Sequence, residues 1–259
     1  MNLEIQDLTK AETFVSCFHH MKLFTERVNI IFQPEQFFIQ SVDSAAVVIF
    51  EIVLPKTWFD VYTLKEDQTV VVGLNTHLFF KVLNSREKTQ RIEMNTRLYD
   101  HLCVDFISDG KDAFDKHFEI PMIDLESEML HIPTIEYQAE FSLPSILFAS
   151  LISELKQFGD DLQIECTEEK ISLVSNSLEL GKMYTNISIE ELQEYAIDEG
   201  ETLKMSFSLK YLQYICAYQK LSKYISISCS NEIPIRIQYL LGTDAKMTFY
   251  LAPRILDDY

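Results

Sequence analysis

The sequence predicts an α+β protein in which helices cover one face of antiparallel sheets, and three observations carry that prediction. Twelve Tyr and 18 Phe stand with many Ile and Val in short runs of strand composition. Only four stretches follow the helical period, starting near residues 9, 76, 145 and 209. Two to four strand-like runs separate each helix from the next, so a strand, a helix and a meander recur about every 67 residues. Meanders between helices, rather than strict strand–helix alternation, point away from parallel βαβ units.

The first helix, 9–22 (TKAETFVSCFHHMK), begins at the polar starter Thr9 and aligns Phe14, Phe18 and Met21 on one face. Strand runs follow at 28–32, 37–42, 46–54 and 69–72. The second helix, 76–84, starts after Asn75 and aligns Phe79, Val82 and Leu83; runs at 90–94, 102–107 and 118–123 come next, with Asp109-Gly110 as a turn. The acidic, Pro-containing stretch 124–136 has no clean period and reads as a linker. It divides the repeats into two pairs, so we expect an N-terminal domain at 1–121, a connector at 122–136 and a C-terminal domain at 137–259.

In the second half, a run at 137–142 leads through Pro144-Ser145 into the third helix, 145–157. Phe148, Leu151, Ile152 and Leu155 share one face of it. Runs at 161–166, 170–175, 183–189 and 202–207 precede the fourth helix, 209–220, which starts after Ser208 and aligns Leu212, Ile215 and Cys216. Runs at 224–229, 235–241 and 245–251 complete the pattern, separated by turn chemistry at 231–234 and 242–244.

Composition bounds the function. With 40 acids against 22 Lys plus Arg the net charge is −18, which on average argues against a nucleic-acid binder. The sign inverts on the helices. They carry Lys10, Lys22, Lys81, Lys156, Lys210 and Lys220 against Glu12 and Glu154, a surplus of four positive charges; the rest of the chain holds 16 basic and 38 acidic residues. Solvated helix faces often collect lysines, so composition alone leaves two readings open: ordinary solvation, or a mildly basic helical surface that faces a polyanion.

Five scattered cysteines without a CxxC imply a reducing compartment, no disulfide frame and no zinc site. The opening MNLEIQDLTK lacks the marks of a secretory signal, and no apolar run reaches the roughly 18 residues a membrane span needs. Asp105, Asp109, Asp112 and Asp115 lack the ligand spacing of a calcium loop and read as a solvated hairpin. Adjacent His19 and His20 point about 100° apart on a helix and cannot share a metal. No catalytic triad or Gly-rich phosphate loop is recognisable, so we expect no enzyme and no cofactor.

Ordered motifs go further. "IQSVDSAAV" (39–47), "FDVY" (59–62), "VGLN" (72–75), "LHIPTIEY" (130–137), "LPS" (143–145), "SLKYL" (208–212), "NEIPIRIQY" (231–239) and "YLAPRILDD" (250–258) occur in one order along the chain. In that order they resemble the proliferating cell nuclear antigen family of DNA sliding clamps over essentially the whole length, and the low overall identity fits a divergent or viral member. The resemblance implies the DNA-clamp fold: two similar domains per chain and a closed homotrimeric ring whose helices line the hole.

It also implies roles. Double-stranded DNA would be encircled without sequence preference, facing Lys10, His20, Lys22, His77, Lys81, Lys156, Lys210 and Lys220. Three subunits would place about twelve surplus positive charges around the hole. Basic residues of the family are replaced here by Ser150, Ser153 and Ala217, so weaker and less salt-steep DNA contact is expected. Partner proteins (polymerase, clamp loader and others) would insert a Gln–aliphatic–two-aromatic motif into a pocket of Val42, Ala46, Val47, Leu130, Ile132, Tyr211, Pro234, Tyr250, Leu251, Ala252 and Pro253. Ala46 stands where the family often has a larger polar residue. The subunit joint would involve Phe118 and Ile120 against Met183, Tyr184 and Ile187.

The expected location is the nucleus, or a viral replication compartment. A subunit of a heterotrimeric DNA-damage clamp, or a non-trimeric viral processivity factor, has the same fold. An acidic two-domain enzyme is the reading from another class, and the perturbed carboxylates or histidines it needs are not recognisable in the sequence.

Overall fold

The computed structural model describes residues 1–98, 100–110, 113–126 and 129–254. The chain forms two compact units. The first comprises Met1–Ser44, Phe50–His131 and Leu241–Met247; the second comprises Ala45–Ile49, Ile132–Leu240 and the segment from Thr248.

In the first unit, β1 (Asn2–Ile5) leads into α1 (Leu8–His19), then β2 (Arg27–Gln33), β3 (Gln36–Val42), β4 (Val48–Pro55), β5 (Val61–Thr63) and β6 (Val70–Asn75). After α2 (Thr76–Leu83) come β7 (Gln90–Asn95), β8 (His101–Ser108) and β9 (Lys116–Pro121). One sheet has the order β5-β1-β7-β8-β9, and β3, β2 and β6 lie side by side in another. The pairs with resolved register in both sheets are antiparallel, such as Leu3↔Met94 and Ile30↔Ile39.

The second unit repeats the plan. β10 (Ala139–Pro144) leads into α3 (Ser145–Leu155), followed by β11 (Asp161–Cys166), β12 (Lys170–Ser177), β13 (Gly181–Ser188) and β14 (Glu194–Ile197). β15 (Leu203–Ser208) leads into α4 (Leu209–Cys216), and β16 (Tyr224–Cys229), β17 (Ile235–Leu240) and β18 (Lys246–Leu251) complete it. One sheet reads β13-β12-β11-β15, the other β14-β10-β16-β17-β18. The strand–helix–meander repeat of the sequence is the repeat of the fold.

Aromatic burial holds each core. In the first unit Phe14 of α1 packs on Phe18 and Phe37 with centroids at 5.1 and 5.7 Å, and Phe18 meets Phe79 of α2 edge-on at 4.8 Å. In the second, Phe148, Ile152 and Leu155 of α3 and Leu212 and Ile215 of α4 are buried. There the buried Tyr239 hydroxyl donates to Ile215 O at 3.1 Å, which satisfies a polar group the core would otherwise strand.

Several expectations need correction. β1, β5 and β14 were not expected: each has three or four residues, too few to display a period, and exists because a neighbour offers a ladder. α1 starts earlier than Thr9 because Asp7 is its cap, accepting from Thr9 N and Lys10 N at 2.8 and 2.9 Å. α1 stops at His19 and α4 at Cys216, so Lys22 and Lys220 lie beyond the helices. His19 and His20 do not diverge: His20 leaves helical geometry at the C-cap, and the two rings stack at 4.4 Å and 6°.

The aspartates are not a uniformly solvated hairpin. Asp105 is buried and pairs with His117 at 2.8 Å and Arg97 at 3.4 Å, while Asp109 pairs with Arg91. Asp115 accepts from Ser108 N, and Asp112 lies outside the described residues. All five cysteines are buried and free; burial pushes the Cys17 and Cys216 thiols up to about 12.

α2 is capped by Asn75, whose side chain accepts from Leu78 N at 2.9 Å. Asn75→Ala is therefore expected to cost about 1 kcal/mol, read as a lower urea midpoint, whereas Asn75→Ser should keep most of it.

Candidate nucleic-acid interface and docking surfaces

The helices bury apolar faces, and the six lysines on or beside them fall into two groups. Lys22, Lys81, Lys210 and Lys220 are exposed, as is His77. Lys210 Nζ lies 5.6 and 5.7 Å from the centroids of the Tyr211 and Tyr214 rings, a contact that leaves its charge in place. Lys10 and Lys156 are engaged within the chain. Lys10 donates to Trp58 O at 2.8 Å over the Trp58 ring, and Lys156 pairs with Asp160 at 2.6 Å. That hydrogen bond and charge hold the Asp160 carboxyl below the usual carboxylate range. His20 is half-buried in the imidazole stack. The outward face of α3 offers Ile146, Leu147, Ser150, Ser153 and Glu154, with Glu154 accepting from Ser150 at 3.1 Å. Four lysines, not six, are thus free to meet a polyanion.

Residues 252–254 are tied down within the second unit. Ala252 N donates to Val47 O at 3.0 Å, Arg254 N to Ser206 O at 2.7 Å, and the Arg254 guanidinium pairs with Asp161 at 2.5 Å. Residues 255–259 lie outside the described residues. Of the expected pocket residues, Ala46 and Pro234 are exposed, and Leu130 is 45% exposed. Val42, Val47, Ile132, Tyr211, Tyr250, Ala252 and Pro253 are half-buried. Leu251 is fully buried, because alternation along β18 turns it into the core between Tyr250 and Ala252. By membership, Val42 and Leu130 belong to the first unit and the others to the second.

Each unit has its own hollow among these residues. In the first unit a cavity of about 230 Å³ is lined by Val42, Leu125 and Leu130. In the second, Pro253 and Arg254 line one of about 580 Å³ with Met205 and Asn231. In the first unit's cavity Leu130 is fixed by Gln40, whose amide accepts from Leu130 N at 2.7 Å and donates to Leu130 O at 2.9 Å. Ala46 adopts φ 55°, a left-handed turn that disfavours a bulky side chain.

Both expected joint strands are sheet edges. Among the described residues β9 pairs only with β8, and β13 only with β12. Their side chains are not equivalent. Tyr184 is 67% exposed, whereas Phe118 rests on Phe106 at 5.6 Å and Met183 and Ile187 are half-buried. The Ile120 side chain is buried in its own unit, and its backbone lies on the edge strand β9.

Sequence reasoning missed three residues that hold the chain near these surfaces: Gln40, Gly73 and Gln90. Gln40 and Gly73 lie inside matched motifs but act through contacts 50 or more positions away, as Gln40 does with Leu130. Gln90 is a buried glutamine that donates to Phe114 O at 2.8 Å, and no local pattern marks it.

Residues 131–254 match the family model of the proliferating cell nuclear antigen C-terminal domain. A proliferating cell nuclear antigen of Chaetomium thermophilum is 27% identical over 226 residues, spanning 85% of this chain and 86% of the relative. No helix among the described residues is long and apolar enough to cross a membrane.

Proposed function

We infer that this chain, a member of the proliferating cell nuclear antigen family, is a sliding clamp of the processivity-factor class that encircles duplex DNA as a homotrimer. The observation that carries this reading is the charge inversion: free lysines on or beside the helices of a chain whose net charge is −18. Hydrated ammonium heads on flexible stems suit loose phosphate contact, and the acidic remainder discourages DNA from settling elsewhere. The free edges of β9 and β13 support a head-to-tail ring, since a heterologous contact that closes would cover both in every subunit.

Residues 122–136 would then connect the two clamp domains. DNA polymerase, the clamp loader and other replication and repair proteins would dock through a short apolar motif on the accessible pocket residues, Leu130 and Tyr250 among them. The place of action would be the nucleus, or a viral replication compartment.

Duplex binding tests the reading. Lys81→Glu with Lys210→Glu is expected to weaken binding to a short duplex at least tenfold at low salt. It should also flatten the slope of log affinity against log salt by about two. Reversing Lys170 and Lys204, exposed on strands, should not weaken binding. Equal affinity and slope for the helix variant and the wild type would refute the DNA-facing assignment.

A further inference from the structure

We propose that Cys166 and Cys229 form a redox-modification site in the second unit, a buried dithiol that hydrogen peroxide converts to a disulfide joining the unit's two sheets. The site needs neither DNA nor a second subunit. Cys166 ends β11, which lies between β12 and β15, and Cys229 ends β16, which lies between β10 and β17. Both side chains are fully buried, and the two thiols hydrogen-bond to each other.

Strand register brings the same two positions together. Cys229 stands opposite Ala139 of β10, and Ala139 opposite Ile197 of β14. Tyr195 lies two residues from Ile197 on β14, so its ring points to the same side of that sheet as Cys229. Its hydroxyl donates to Thr167 O at 2.5 Å, and Thr167 directly follows Cys166. The two sheets therefore approach each other at these cysteines, with Tyr195 beside both thiols.

The oxidation balances with peroxide as the only co-reactant. A thiolate of the pair attacks one peroxide oxygen, the O–O bond breaks, and hydroxide leaves and takes up the thiol proton as water. The second thiol then attacks the sulfenic sulfur, the S–S bond forms, and a second water leaves; two electrons have passed from sulfur to peroxide oxygen. At rest the pair is protected. Its hydrogen bond with Cys166, and then burial, hold the Cys229 thiol far above the ordinary thiol range, so the closed unit offers almost no thiolate. Reaction waits for local opening, and β14 is the element to open: it has four residues and, among the described residues, pairs only with β10. Once formed, the bond closes a long loop from β11 to β16 and restricts the unfolded chain.

Peroxide treatment of the full chain, followed by peptide mapping and thermal unfolding, tests the site. The expected product is one internal cross-link between the Cys166 and Cys229 peptides, with both thiol hydrogens lost. The unfolding midpoint should rise on the order of 10 °C, and a dithiol reductant added to the unfolded chain should reverse the link. Tyr195→Phe removes the tether to Thr167 O and should speed cross-linking roughly fivefold. Cys229→Ala should show no rise in midpoint on treatment, and the wild-type peptide map decides the matter even if that variant folds poorly. Both thiols still free after prolonged exposure would overturn the proposal. So would separate sulfinic or sulfonic acids in place of a link, a link to another cysteine, a lowered midpoint, or an unchanged rate in Tyr195→Phe.

Discussion

Leu251→Ala is expected to lower the stability of the second unit by about 2–5 kcal/mol, a large share of the stability of a typical domain. The side chain is fully buried in β18, so its removal leaves a cavity as well as forfeiting transfer free energy. Leu130→Ala and Tyr250→Ala should behave differently. Leu130 is partly exposed and Tyr250 half-buried, so their unfolding midpoints should stay closer to wild type. What they should lose is retention on an immobilised peptide carrying the Gln–aliphatic–two-aromatic motif. Thermal unfolding and pulldown, run on the same three variants, separate packing from docking. Retention of Leu130→Ala and Tyr250→Ala equal to wild type would remove both from the docking surface.

Gly73→Ala should be nearly as severe. A Cβ at this position would fall 2.1 Å from Ile123 O and 3.0 Å from Asn29 Oδ1, and the nearer atom is backbone that cannot swing aside. Ile123 N donates to Gly73 O at 2.8 Å, and Asn29 Nδ2 reaches Leu125 O at 3.1 Å, so the same short segment is held twice. Alanine would push that segment off β6. The expected loss is on the order of 3 kcal/mol, with faster proteolysis around residues 122–126. A variant that resists protease as well as wild type would show that the segment is held by something other than this close approach.

The fold was legible because its repeat is long and its signals are local. Four helices start at 8, 76, 145 and 209, within a residue of where periodicity and polar starters put them. Three strands were not legible, because Asn2–Ile5, Val61–Thr63 and Glu194–Ile197 are too short for an alternation to stand out in sequence and owe their form to pairing partners. The candidate surfaces were readable in part. Residue type located the lysines, but only coordinates separate Lys10 and Lys156, spent on Trp58 O and Asp160, from the four that remain free. Motif position marks Leu251 and Ile120, and strand alternation turns both side chains inward within their own units.

The burial of every native cysteine has a practical consequence. Thiol reagents attack the thiolate, and Cys17 and Cys216, raised to about 12, hold almost none of it at neutral pH. A single cysteine engineered on the surface would therefore take a fluorophore or spin label against a silent background. Distances could then be tracked in the unmodified fold without first stripping its native sulfur.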